Sequence, residues 1–292
     1  MLLTLVDEVM SDAKAPLDQR LAALPLLSQR PWDKAEPVLR TLLAEGQPTE
    51  LQAAAFAVLK KYGADKASPL VYELLPETGP MVRRDLVTLL TANAKTALAL
   101  FKRMDKGEIS PALVDVETRW RYQRGAGELR DLAVKLFGQP SEDRAAVIAD
   151  YMDCTQMKGD AKKGREVFSM ICITCHKHGE LGVEVGPPLS DVKAKPPEAL
   201  LSDILDPNRM VEARWCAYTI ETQDGRALSG LVAAESADSV TLKMMGGLSE
   251  TIQRSQIKKM VSTDKSLMPP GLEGAINKEQ MADLLAFLRG VQ

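Results

Sequence analysis

The sequence predicts a mainly α-helical protein with a small β-unit set into its C-terminal half. Three observations carry this prediction. Residues 1 to about 153 repeat apolar positions at the helical period almost throughout. A block at about 211–263 instead alternates in short strand-like runs. Helical patterns return on either side of that block, so residues 154–292 read as one domain carrying an insertion.

The first half comes first in the chain. "LAALPLL", "AEPVLRTLLAEG", "LQAAAFAVLKKYG", "SPLVYELLPE" and "MVRRDLVTLLTAN" each place apolar residues at i, i+3, i+4 and i+7. Breaks fall at Gln47-Pro48, Gly63, Gly79-Pro80 and Gln139-Pro140. Two amphipathic segments, Leu51 to Gly63 and Met81 to Asn93, start 30 residues apart. Helix pairs at that spacing predict an α-solenoid of the HEAT type, in which each repeat buries its apolar face only by stacking on its neighbours. An irregular helical domain without true repeats is the alternative. The half holds no histidine, and its carboxylates share polar helix faces with Lys and Arg. That is a solvated surface rather than acid–base machinery.

The second half opens on "CITCH", residues 172–176. The chain has only 4 Cys and 2 His in 292 residues. A chance C-x-x-C-H is then expected roughly 4 times in 10,000 such chains. Two chemistries use the spacing. One is covalent attachment of a single haem c, with Cys172 and Cys175 as thioethers and His176 as an iron ligand. The other is half of a zinc site, which needs Cys154 and Cys216 to converge on the loop. Those two lie 62 residues apart with no motif around them. They read as buried free thiols before they read as a disulfide.

Around this loop, "GDAKKGREVFSMICITCH" reads as a helix with Gly164, Phe168 and Cys172 at i, i+4 steps on one face. "NKEQMADLLAFLRG" reads as a partner helix, with Asn277 and Gln280 as a capping box and Leu284, Phe287 and Leu288 as an apolar stripe. This pair resembles class I cytochromes c. Taken alone, Pro187 of "GPPL" is a loop stiffener. The resemblance implies instead that its carbonyl accepts the Nδ1 proton of His176 and orients that ring.

The opposite ligand is sought by elimination. His178 is two residues from His176 and cannot reach the other face, and there is no third histidine. Methionine remains. Met268 of "SLMPPGL" sits where class I cytochromes carry their ligand methionine. Met157 and Met170 start on the wrong side, and Met210 opens a different segment. His176 and Met268 lie 92 residues apart, about twice what the resemblance implies. "WCAYTIET", "RALSGLVA", "SVTLKMM", "LSETIQR" and "IKKMVS" account for the excess. They read as a small antiparallel β-unit, an SH3-like barrel inserted ahead of the Met loop, with "QDG" and "GG" as turns.

Several of these stretches, with "LLSDILDPNRMV" and "YTIETQDGRALSGLV", resemble the haem-binding domain typical of planctomycetes and related bacteria. That resemblance implies an exported, periplasmic electron-transfer module that follows HEAT-like helices. Its redox partner would be a sugar or alcohol dehydrogenase, fused or separate. No turnover is expected of the module alone. Two other classes stay open: a haem sensor or peroxidase-like site with a labile distal ligand, and a helical scaffold with a subsidiary haem. A net charge of −3 without long like-charged runs argues against nucleic acid as a partner. No apolar run approaches a membrane span. "MLLTLVDEVMSD" lacks the basic and cleavage regions of a signal peptide. An export signal is therefore expected to have been removed or to lie on a longer chain.

Overall fold

The computed structural model describes residues 10, 12, 14–137 and 142–290. The N-terminal stretch and the Gln139-Pro140 break lie outside the described residues. Among those residues it is mostly helical, with twelve α-helices and a five-stranded antiparallel sheet. The chain parts into two compact units. One holds the described residues up to Leu136 together with 234–240 and 253–255. The other holds Phe137–Ala233, Thr241–Ile252 and the residues from Gln256 onward.

The first unit runs α1 (Leu17–Leu27), α2 (Trp32–Leu43), α3 (Thr49–Tyr62), α4 (Ala64–Leu74), α5 (Pro80–Leu90), α6 (Ala94–Asp105), α7 (Val116–Gln123) and α8 (Gly127–Phe137). Packing among α1 to α6 is local: each helix lies against the next, or the next but one. Leu39, Leu43, Leu59, Leu70 and Leu86 are fully enclosed. Polar side chains tie the turns. The Tyr62 hydroxyl lies 2.6 Å from the Leu27 carbonyl, and Tyr122 and Arg121 both donate to the Thr91 carbonyl at 2.8 Å.

Residues 234–240 and 253–255 join this unit from far along the sequence. Arg254 pairs with Glu45 and, at 2.5 Å, with Glu235. The Glu235 carbonyl accepts from the Thr49 hydroxyl at 3.0 Å. Its carboxylate accepts the Met81 N–H at 3.3 Å, beside the start of α5.

The second unit contains α9 (Glu142–Tyr151), α10 (Ala161–Val167), α11 (Pro197–Leu205) and α12 (Lys278–Arg289). Its apolar core gathers Tyr151, Phe168, Leu201, Leu205, Met281 and Leu285. The sequence boundary near 153 counts α9 with the helical half, whereas Ile148 and Tyr151 of α9 lie in this core. Amphipathic spacing says that a helix has an apolar face but not what that face meets.

The main strands are β3 (Cys216–Thr222), β4 (Ala227–Glu235), β5 (Ser239–Lys243), β6 (Ser249–Gln253) and β7 (Ile257–Ser266), after a small hairpin β1 (Lys177–His178) and β2 (Leu181–Gly182). Their order is β6-β5-β4-β3-β7. The first four thus form a meander, and the fifth returns beside the first. Tyr218 faces Gly230 on one side and Ser262 on the other. Among the described residues, no helix is long and apolar enough to cross a membrane.

Candidate functional site

The CITCH loop leaves the end of α10. The α-pattern stops at Val167, and Phe168–Cys172 form a π-turn in which the Ile173 N–H closes on the Phe168 carbonyl at 3.1 Å. A single wide turn of this kind is a common device at functional sites. It also ends the regular register on which a Gly164–Phe168–Cys172 stripe depends.

Helix α12 crosses α10 closely because Gly164 has no side chain. A Cβ there would overlap the Asp283 carbonyl and press on Phe287. Phe168 and Phe287 meet with centroids 5.6 Å apart, and His178 lies 4.8 Å from Phe287. His178 Nδ1 is 3.0 Å from the Leu189 carbonyl. It is thus an aromatic packing residue with one polar tie.

Within the loop, the His176 and Cys175 amides both donate to the Cys172 carbonyl, at 2.9 and 3.1 Å. The Cys175 carbonyl accepts from Val185 and Gly186 at 3.0 and 2.7 Å. These bonds draw the "GVEVGPPL" segment against the loop. His176 Nδ1 then lies 2.8 Å from the Pro187 carbonyl. A carbonyl only accepts, so Nδ1 carries the proton and Nε2 carries the lone pair. Gly186 makes room for the ring, since a Cβ there would stand 2.8 Å from His176 Cε1. Burial holds the imidazole below its ordinary pKa, opposed by the bond to Pro187. Burial also pushes the Cys172 thiol up to about 11, with the neighbouring Cys175 adding to it. Both ring and thiol are therefore neutral near pH 7.

One part of this site has no sequence signal beyond a pair of glycines. The turn between β5 and β6 reaches the loop, and the Gly246 N–H donates to the Thr174 carbonyl at 2.7 Å, between the two cysteines. Gly246 and Gly247 have φ of 81° and 79°, which glycine adopts without strain. A Cβ on Gly247 would lie 3.3 Å from Val183.

Cys172, Cys175, His176 and Pro187 are thus brought together. Met268 shares no hydrogen bond with them among the described residues. It lies partly buried in the loop after β7, and its N–H donates to Ser266 Oγ at 3.1 Å. Met170 is 66% exposed and Met157 is 40% exposed, so neither is shielded from water. Met210 is partly buried like Met268.

Among the described residues none of the four cysteines forms a disulfide, and Cys154 and Cys216 are each buried. Among the described residues, no three His, Cys, Asp or Glu side chains gather as a metal site. The half-site reading for zinc therefore has no second half there. The residues do fit a haem. Two unpaired thiols flank an imidazole whose Nε2 is free to coordinate. Cys172, Ile173, Leu181, Leu189 and Leu272 are partly buried apolar residues packed against the core of this unit.

Residues 159–213 match the family model described as cytochrome C oxidase, cbb3-type, subunit III. The chain carries a cytochrome c-like domain. That domain implies haem binding. The match takes in α10, the CITCH loop and α11, and stops just before β3. No curated protein matches the chain.

Proposed function

We propose that the chain is a monohaem c-type cytochrome that serves as an electron-transfer module. The observation that carries this is the CITCH loop itself. His176 is oriented through Nδ1 by the Pro187 carbonyl, with its other nitrogen free and two unpaired thiols beside it. Cys172 and Cys175 would hold the haem covalently, and His176 and Met268 would be its iron ligands. A haem c bound there supplies a one-electron couple between ferric and ferrous iron. The chain's own residues orient the imidazole of His176 and raise its basicity through Pro187.

The helical unit, with its neighbour-to-neighbour packing, is a HEAT-like solenoid in this reading. Covalent attachment places the protein outside the bacterial cytoplasm. The redox partner is a periplasmic sugar or alcohol dehydrogenase, fused or separate. His/Met ligation gives a higher potential than two histidines, which suits accepting electrons from such an enzyme.

The test is chemical. After export with a haem-attachment system, haem should stay with the polypeptide through acid–acetone extraction. The double variant Cys172→Ser, Cys175→Ser should lose it. Extractable haem in the parent would overturn the covalent reading.

A further inference from the structure

We infer that Asn208 is a positioning residue for the Met268 loop, an inference that rests on Met268 as the distal ligand. Asn208 Oδ1 accepts the Ser266 N–H at 2.9 Å, and Ser266 Oγ accepts the Met268 N–H at 3.1 Å. Ser266 is the last residue of β7. It stands opposite Cys216, where the ladder to β3 is irregular. A side-chain amide here takes the place of a strand partner and fixes where the strand ends.

The course of the loop beyond Ser266 depends on that end point. Pro269 and Pro270 have no N–H, and Gly271 turns the chain with φ of 94°. Between Ser266 and Gly271, only Leu267 and Met268 retain backbone donors. The bond from Met268 to Ser266 is therefore a main local restraint on the direction of the thioether.

The turn that carries Asn208 is bonded on both sides of it. The Asp206 N–H donates to the Ser202 carbonyl at 2.9 Å at the end of α11, and Arg209 N–H returns to the Asp206 carbonyl at 3.2 Å. Asp206 is buried. A ligand must be aimed within about 0.5 Å to bind productively, so a rigid support of this kind acts on the ligand even though it never touches it.

The experiment uses the full, haem-loaded chain and follows imidazole binding to the ferric protein. Asn208→Ala and Ser266→Ala should each bind imidazole about three- to tenfold faster than the parent, the factor expected for one lost hydrogen bond. Asn208→Asp keeps the acceptor and should bind at the parental rate. In the same haem-loaded chain, hydrogen exchange at the Ser266 and Met268 amides should quicken in Asn208→Ala. A residue that only stabilised the fold would lower thermal stability without changing the binding rate.

Should Asn208→Ala fail to fold, Asn208→Leu, which keeps the side-chain volume without the acceptor, decides. Parental binding rates in the folded variants, beside fast binding in Met268→Ala, would overturn the role of Asn208 and leave the ligand in place. Parental binding in Met268→Ala as well would overturn the ligand reading beneath it.

Discussion

Gly164 shows how much one missing atom decides at the scale of the residue. Its Cα faces the Asp283 carbonyl across the α10–α12 crossing, with no space for a methyl group. Gly164→Ala should therefore destabilise the second unit by about 1–3 kcal/mol through overpacking. Alanine's better helix propensity offsets this by only about 1 kcal/mol. Urea titration followed at the Phe168–Phe287 contact would show a lowered midpoint, and an unchanged midpoint would mean that the helices slide apart freely. Met268 and Met210 set a second contrast. Met268→Ala should remove the weak far-red band of an iron–thioether bond and lower the potential, while Met210→Ala should keep the band. The reverse result would move the ligand to Met210. CITCH, the Gly164–Phe168 step and the Asn277 cap are legible because each has a fixed residue spacing. The Asn208 contact joins residues 58 positions apart through a side chain, and no local pattern records it.

Elements in the second unit are joined by a partly buried ion pair. Arg144 of α9 grips Glu273 through two nitrogens at 2.8 and 2.6 Å and donates its third to the Leu205 carbonyl at 2.8 Å. Tyr151 caps the same corner, its hydroxyl 2.9 Å from the Ile276 carbonyl. The hydrogen bonds from Arg144 hold the Glu273 carboxyl below its ordinary range. Because the folded value is depressed, the stabilisation is fully present above the ordinary glutamate range. It is lost as pH falls through the lower folded value. Arg144→Gln should cost about 1–3 kcal/mol near neutral pH and should flatten that acid limb. Thermal melts at pH 7 and pH 3 would check both, and a parental loss of stability on acidification would contradict the assignment. Helices are readable here because apolar spacing reports an element's own period. The π-turn is not, since a helix that widens for one turn keeps an ordinary helical composition.

On the scale of the whole molecule, the informative feature is that sequence neighbours and spatial neighbours part company. The strand-like runs are legible as a block, and the sheet comprises five of them. Their alternation does not say that residues 234–240 and 253–255 belong with the helical unit. Those contacts depend on one nearly buried carboxylate, Glu235, and its partner Arg254. Arg254→Ala should therefore weaken the helical unit, by about 1–3 kcal/mol for the charged bonds it loses. Faster hydrogen exchange at Met81 would report it, and unchanged exchange there would show that the pairing is dispensable.

The crossing of α10 and α12 also sets a timetable. The Asp160 N–H bonds to Asp283, 123 residues away, whereas α1 to α6 pack on their sequence neighbours. A growing chain can complete the helical contacts as each helix appears. The CITCH loop must wait for the last helix. At about 5–20 residues per second, its cysteines spend on the order of ten seconds of synthesis on an unfinished fold. That interval ends when Asp283 and Phe287 reach Gly164 and Phe168.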